Sequence, residues 1–256
     1  MRILGLTMPL IKAGDDLPGM ILKAAEQVGG LRDGDVIVVA SNALATAQGR
    51  LKKLEGIQPS RRAKLLARRS GLRPEFVELV LQEADQVLGV TKRALLTLKD
   101  GMFCVNAGID ASNAPPKQVL LMPAEPNKAA SDILQALKRR GDFRLGVVIA
   151  DSHVQPLRLG TTGQAIGVAG FEPVIDCRGQ LDLFGKPLRV TFRGVADQLA
   201  TAAQVVMGEA AERVPAAVVR GAEVTFTERA KMSPKISPKR CLYVSALKLT
   251  KLLKIH

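Results

Sequence analysis

Apolar residues along this chain follow two rhythms. Short unbroken runs, residues 36–40 in "GDVIVVASN" and 145–150 in "RLGVVIADSH", are closed by polar side chains. Runs of that length, rich in β-branched residues, predict buried strands ending in functional loops. Between them come stretches with helical spacing. "PSRRAKLLARRSGL" predicts a helix capped by Ser60 and ended by Gly71, with Ala63, Leu66 and Ala67 as its apolar stripe. "PEFVELVLQEADQVL" predicts a second helix, with Phe76, Leu79, Val80 and Val87 on one side. "ALLTLKDGMFCVNAG" predicts a hairpin turning at Asp100-Gly101. "PNKAASDILQALKRRG" predicts a third helix, closed by Gly141. "VTFRGVADQLATAAQVVMGEA" predicts a strand leading into a long Ala-rich helix, and "VPAAVVRGAEV" a further strand. Strands and helices alternate without a strict repeat, so the expected class is mixed α/β (α+β). No Gly/Ser linker interrupts residues 1–228, which are expected to form one domain. Residues 229–256, with Pro234 and Pro238, are expected to be a basic C-terminal tail or helix.

Composition narrows this. Of 256 residues 47% are hydrophobic, enough for a core and too many for a disordered chain. Only 3% are aromatic and Trp is absent, so that core must be Leu, Val, Ile and Ala. No apolar run is long enough to span a membrane, and "MRILGLTMPLIKAGDD" reaches acidic residues too early for a secretory signal. Cys104, Cys177 and Cys241 are too far apart for a metal or disulfide pattern. A reducing, cytoplasmic setting is expected. The formal net charge of +13 favours anionic ligands. The excess is concentrated in "RRAKLLARR" and in the segment from Lys231 onward, which carries seven Lys or Arg and no acid. These runs also suit plain solvated faces. Few aromatics accompany them, so base stacking has no support and a nucleic-acid partner is not expected.

Four polar clusters follow apolar runs: Ser41-Asn42, Asp110 to Asn113, Asp151-Ser152 and Met207-Gly208-Glu209. In α/β folds such strand ends are where ligands bind. Asp110, Asp151 and Glu209 are hard-oxygen candidates for Mg²⁺ or Mn²⁺ beside a nucleoside triphosphate. An Asp in such a place serves equally as a turn former or helix N-cap. There is no G-x-x-x-x-G-K-[ST] motif. "GTTGQAIG" (160–167) reads as a loop needing positive φ, or as glycines letting backbone amides approach an anion. His153, two residues after Asp151, is a ligand or proton carrier only if a partner exists. Cys104 reads as inert packing.

Taken together, "MPLIKAGDDL", "GDVIVVAS", "AQGR", "RAKLLARRSGLRPEFVELVLQE", "VNAGIDASN", "GVVIADS", "GQAIGVAG", "DLFGKPLRVT", "VADQLATAAQVVMGEA" and "PAAVVRG" resemble the coenzyme F420-0:L-glutamate ligases, the γ-glutamyl ligases of deazaflavin cofactor synthesis. The pieces stand in the family's order. The resemblance implies a mixed α/β fold in an intertwined homodimer. It implies a GTP-dependent amide ligase that adds L-glutamate to F420-0, and to F420-1, through an acyl phosphate. It gives Asp110 and Asp151 catalytic places, and a divalent metal set (Mg²⁺ or Mn²⁺, with K⁺ as a further ion) of Asp110, Asp151, Ser152 and Glu209. Nucleotide contacts fall on Met8, Pro9, Leu10, Ile11, Ser41, Asn42, Thr46, Asn113, Met207, Gly208 and Glu209.

Two positions depart from the family pattern. A Lys that meets the nucleotide phosphates is replaced by Thr46, which brings no charge. After Asp151 the family runs close to D-T-x-G-R-x-x-R-x-G, whereas this chain reads "DSHVQPLRLG". Arg158 is kept, but Val154 and Gln155 stand for the Gly-Arg pair, and Gln does not replace a bidentate Arg. The alternatives are the same chemistry on another carboxylate, such as a pterin or folate, or a non-catalytic protein that binds nucleotide or nucleic acid.

Overall fold

The computed structural model describes residues 1–141 and 143–246. In chain order the strands are β1 (Arg2–Leu6), β2 (Val36–Ala40), β3 (Leu51–Lys53), β4 (Gln86–Thr91), β5 (Ala94–Lys99), β6 (Met102–Val105), β7 (Gln118–Leu120), β8 (Gly146–Val154), β9 (Thr161–Ala169), β10 (Val174–Asp176), β11 (Phe192–Gly194) and β12 (Ala216–Arg220). The helices are α1 (Leu17–Glu26), α2 (Ser41–Ala47), α3 (Arg61–Ser70), α4 (Pro74–Glu83), α5 (Pro126–Lys138), α6 (Val195–Met207) and α7 (Leu242–Ala246). The class is mixed α/β, as the alternation predicts. The described residues form two compact units, one of residues 1–49 and 123–234, the other of residues 50–122 and 235–246. Of the predicted basic tail, residues 229–234 belong to the first unit and residues 235–246 to the second. Residues 247–256 lie outside the described residues.

The first unit is built on a five-stranded sheet in the order β1-β12-β2-β8-β9. Only β2 and β8 pair in parallel; the other neighbours are antiparallel. The run Val36 to Val39 is buried throughout, as a central strand covered on both faces must be. Val36, Val38, Val148 and Val219 pack under Ala196, Leu199, Ala200 and Ala203 of α6. Helix α5 packs on β8 and β9. Just before β2, Asp35 is fully buried, and Arg220 holds it with two hydrogen bonds of 2.9 and 2.7 Å.

The glycines of 160–167 are not a loop. Residues 161–169 are strand β9, and within 160–167 only Gly160 has positive φ, +100°. The glycines let helices come close. A Cβ on Gly163 would lie 2.5 Å from the Ala200 carbonyl, and one on Gly167 2.3 Å from the Pro126 oxygen. Two other ends also differ. Strand β8 does not stop at Asp151, because β9 supplies partners for residues 151–154. Ser41 opens helix α2 directly rather than a loop.

The second unit packs α3 and α4 together beside the three-stranded sheet β4-β5-β6, and β3 pairs with β7. Ser60 caps α3 through the Ala63 amide at 3.2 Å, and Gly71 ends it at φ +74°. Helix α4 is shorter than its apolar spacing suggests. It ends at Glu83, and Val87 belongs to β4, where pairing with β5 claims residues 86–91. The hairpin turns at Asp100 and Gly101, with φ of +50° and +74°. Both are left-handed, as a two-residue turn between twisted strands requires.

Candidate functional site

The parallel register sets the first cluster. Ala40 pairs with Ala150, so Ser41 and Asp151 are the next residues of adjacent parallel strands. Ser41 is buried, and its Oγ donates a hydrogen bond to Asp151 Oδ1. The other carboxylate oxygen, Oδ2, lies 2.9 Å from His153 Nε2. Residues two apart on a strand share a side, which is why these two meet. His153 is only 7% exposed, and its Nε2, although close to Asp151, makes no hydrogen bond. Asp197, in the first turn of α6, accepts the Ala165 amide at 2.8 Å. Burial pushes the Asp197 carboxyl up, against the Ala165 amide and the charge of His153.

Ser152 points to a different set. Its Oγ donates to Glu209 Oε1 at 2.8 Å and accepts from Gln204 Nε2 at 2.9 Å. Thr161 Oγ1 reaches the same Glu209 oxygen at 3.1 Å, and Gln204 Nε2 donates to it as well. Glu209 is brought there by Gly208, which ends α6 at φ +72° and ψ −173°, a turn that L side chains avoid. In the same unit Gln155 Nε2 donates to Thr162 Oγ1 at 3.3 Å, which ties it to its own hairpin.

Asp110 belongs to the second unit. Its Oδ1 accepts the Ser112 amide at 2.7 Å and the Ser112 hydroxyl at 2.6 Å, and its backbone pairs with Leu120. Before it, Asn106, Ala107 and Gly108 are all left-handed, with φ of +53°, +55° and +69°. Asn106 Oδ1 accepts the Leu95 amide at 2.9 Å, and Thr97 Oγ1 accepts the Ala107 amide at 2.8 Å. These bonds hold an unfavourable backbone in place. Asn113 is exposed in this unit.

The remaining sequence candidates divide by role. Met8 and Met207 are buried core residues, and the Met8 amide donates to the Arg213 carbonyl at 3.0 Å. Pro9 and Leu10 are exposed, and Ile11 and Asn42 half-buried. Thr46 Oγ1 donates back to the Asn42 carbonyl at 2.7 Å, within its own helix. Sequence reasoning passed over Gln204 and Thr161. A polar residue five before Glu209 on an Ala-rich helix was a signal for Gln204; Thr161 shows only through the pairing of Val154 with Thr161.

Among the described residues no three His, Cys, Asp or Glu side chains are gathered as a metal-binding group. The chemistry of the donors still suits a hard divalent ion. Asp151, Ser152 and Glu209 offer carboxylate and hydroxyl oxygen, as Mg²⁺ and Mn²⁺ prefer. Ser152 and Glu209 already stand at hydrogen-bonding distance.

Fold and site together define an α/β protein with an oxygen-rich polar cluster at the carboxyl ends of a parallel strand pair. The family model described as F420-0:Gamma-glutamyl ligase matches residues 5–221, and the chain belongs to that family. It is 42% identical over 217 residues to the coenzyme F420:L-glutamate ligase of Archaeoglobus fulgidus, covering 85% of this chain and 86% of that one. It is 40% identical over 212 residues to the protein of that name from Methanopyrus kandleri, covering 82% of each. Against that from Methanocaldococcus jannaschii the figures are 37% over 226 residues, 88% and 89%. Among the described residues no helix is long and apolar enough to cross a membrane.

Proposed function

We propose that this protein is a GTP-dependent ligase that joins L-glutamate to coenzyme F420-0 through an amide bond. The observation that carries this reading is the family match over residues 5–221, spanning Asp110, Asp151, Ser152 and Glu209. A free carboxylate is a poor electrophile. The acceptor's carboxylate oxygen attacks the γ-phosphorus of GTP, the bond to the bridging oxygen breaks, and GDP leaves. The glutamate amine then attacks the acyl phosphate carbonyl, loses its proton, and expels inorganic phosphate. The protein's task is alignment and stabilisation of developing charge. Asp110, Asp151, Ser152 and Glu209 would hold Mg²⁺ or Mn²⁺, which neutralises the phosphates when bound. Ser41 orients Asp151 through its hydrogen bond. The net charge of +13 draws in the anionic substrates. Exposed Leu183, Phe184 and Val190, between β10 and β11, support a homodimer, since large apolar side chains at a surface mark contacts.

One observation favours a second reading, the same chemistry on another carboxylate acceptor. Val154 and Gln155 stand where the family carries Gly and Arg, and Gln155 is bonded to Thr162. The test is incubation with GTP, Mn²⁺ and glutamate, once with F420-0 and once with a folate precursor. Mass spectra should show F420-0 heavier by one glutamyl residue. Product only from the folate precursor replaces the first reading with the second. GDP release with neither, and no amide product, removes both.

A further inference from the structure

We propose that His153 is a positioning residue for Asp151, its buried imidazole holding the carboxylate in the orientation in which Asp151 serves as a metal ligand. The inference rests on the reading of Asp151 as a ligand given above.

Asp151 Oδ1 accepts the Ser41 hydroxyl, and Oδ2 lies 2.9 Å from His153 Nε2, in contact but without a hydrogen bond. Ser41 comes from the start of α2 and His153 from β8 itself, so the two contacts reach the carboxylate from different elements. A ligand already held in place loses less freedom when an ion binds, and such supporting partners tune metal sites. His153 is 7% exposed, so close packing keeps its ring from swinging away.

A purely packing role does not account for an imidazole here. A phenyl ring would fill a similar slot without a polar nitrogen. The Nε2 atom is buried and lacks a hydrogen bond, which is unfavourable. An acceptor within reach is Asp151 Oδ2, and a rotation of that carboxylate toward Nε2 completes the bond. The nitrogen is therefore poised on the carboxylate.

The test is Mn²⁺ binding to the full chain without nucleotide, read from the electron paramagnetic resonance signal of free Mn²⁺. His153→Phe should bind Mn²⁺ about tenfold to a hundredfold more weakly than the native protein, the range found for supporting partners of metal ligands. His153→Gln, which keeps a nitrogen donor, should recover most of the loss. The metal-free melting temperature of His153→Phe should be no lower than native, because the buried unpaired nitrogen is gone. Native affinity in His153→Phe, with binding lost in Asp151→Asn, overturns the inference and leaves the proposed site standing. Native affinity in Asp151→Asn, or no binding by the native protein, removes Asp151 as a ligand and the inference with it. If His153→Phe does not fold, the comparison passes to His153→Gln and the shorter His153→Asn. Weak binding by Asn alone supports the role, and equal native binding by both overturns it.

Discussion

The polar cluster of the first unit and that of the second are built by opposite means. Ser41 and Asp151 are 110 residues apart and meet because two parallel strands pair with Ala40 beside Ala150. Ser152 and Glu209, 57 residues apart, meet because α6 ends at a glycine beside the same strand. In the second unit the distances in sequence collapse. Asp110 bonds to Ser112, two residues on, after three consecutive left-handed residues. One cluster depends on sheet register, the other on local backbone geometry. The first should therefore resist local changes and fail when packing across the sheet is disturbed. The second should be sensitive to the conformational freedom of single residues.

Five substitutions test that contrast, from the largest expected effect to the smallest. Asp151→Asn keeps an acceptor for Ser41 but removes the charge, and glutamylation should fall by about a hundredfold to a thousandfold, the scale for loss of an electrostatic group at a reacting phosphate. Circular dichroism should be unchanged. Asp110→Asn should match it; full turnover in that variant would take the second unit's cluster out of the mechanism. Next comes Gly163→Val. The added side chain meets the α6 backbone, with Cβ 2.5 Å from the Ala200 carbonyl, which has no soft way to yield. Stability should drop by about 3 kcal/mol, the upper range for overpacking, and glutamylation should fall with it. Unchanged urea unfolding would mean that α6 and β9 are not held as described.

Gly108→Ala tests the second unit. At φ +69° a Cβ costs about 1–2 kcal/mol in left-handed backbone. It would also press on Met122 Cγ at 2.4 Å, a side chain that can move. A melting temperature at or above native would show that local strain does not govern this turn. Smallest is Ser60→Ala, which removes the α3 cap and should lower stability by about 1 kcal/mol. It should leave glutamylation untouched, because the cap touches neither cluster.

Part of the candidate site was visible without the structure. Asp110, Asp151, Ser152 and Glu209 are acids or a hydroxyl placed after apolar runs, and that pattern marks them wherever the runs pair. Their neighbours were not visible. Gln204 and Thr161 join Ser152 and Glu209 through helix placement and hairpin register. His153 read as an isolated histidine until β8 placed it on the side of Asp151. Thr46 read as an uncharged residue in place of a Lys; that its hydroxyl is bonded inside α2 was not visible.

The sequence by itself determined the mixed α/β class, the Ser60 cap and Gly71 stop of α3, and the turn at Asp100 and Gly101. It did so because caps and tight turns are settled by groups within a few residues of one another. Only the tertiary structure decided that β8 continues past Asp151, that Gly163 and Gly167 lie in a strand and admit helices, and that α4 yields Val87 to a strand. Those outcomes rest on strand pairing and on packing between segments far apart in the chain. A local pattern cannot say which distant segment will supply the missing hydrogen bonds or occupy the space beside a glycine.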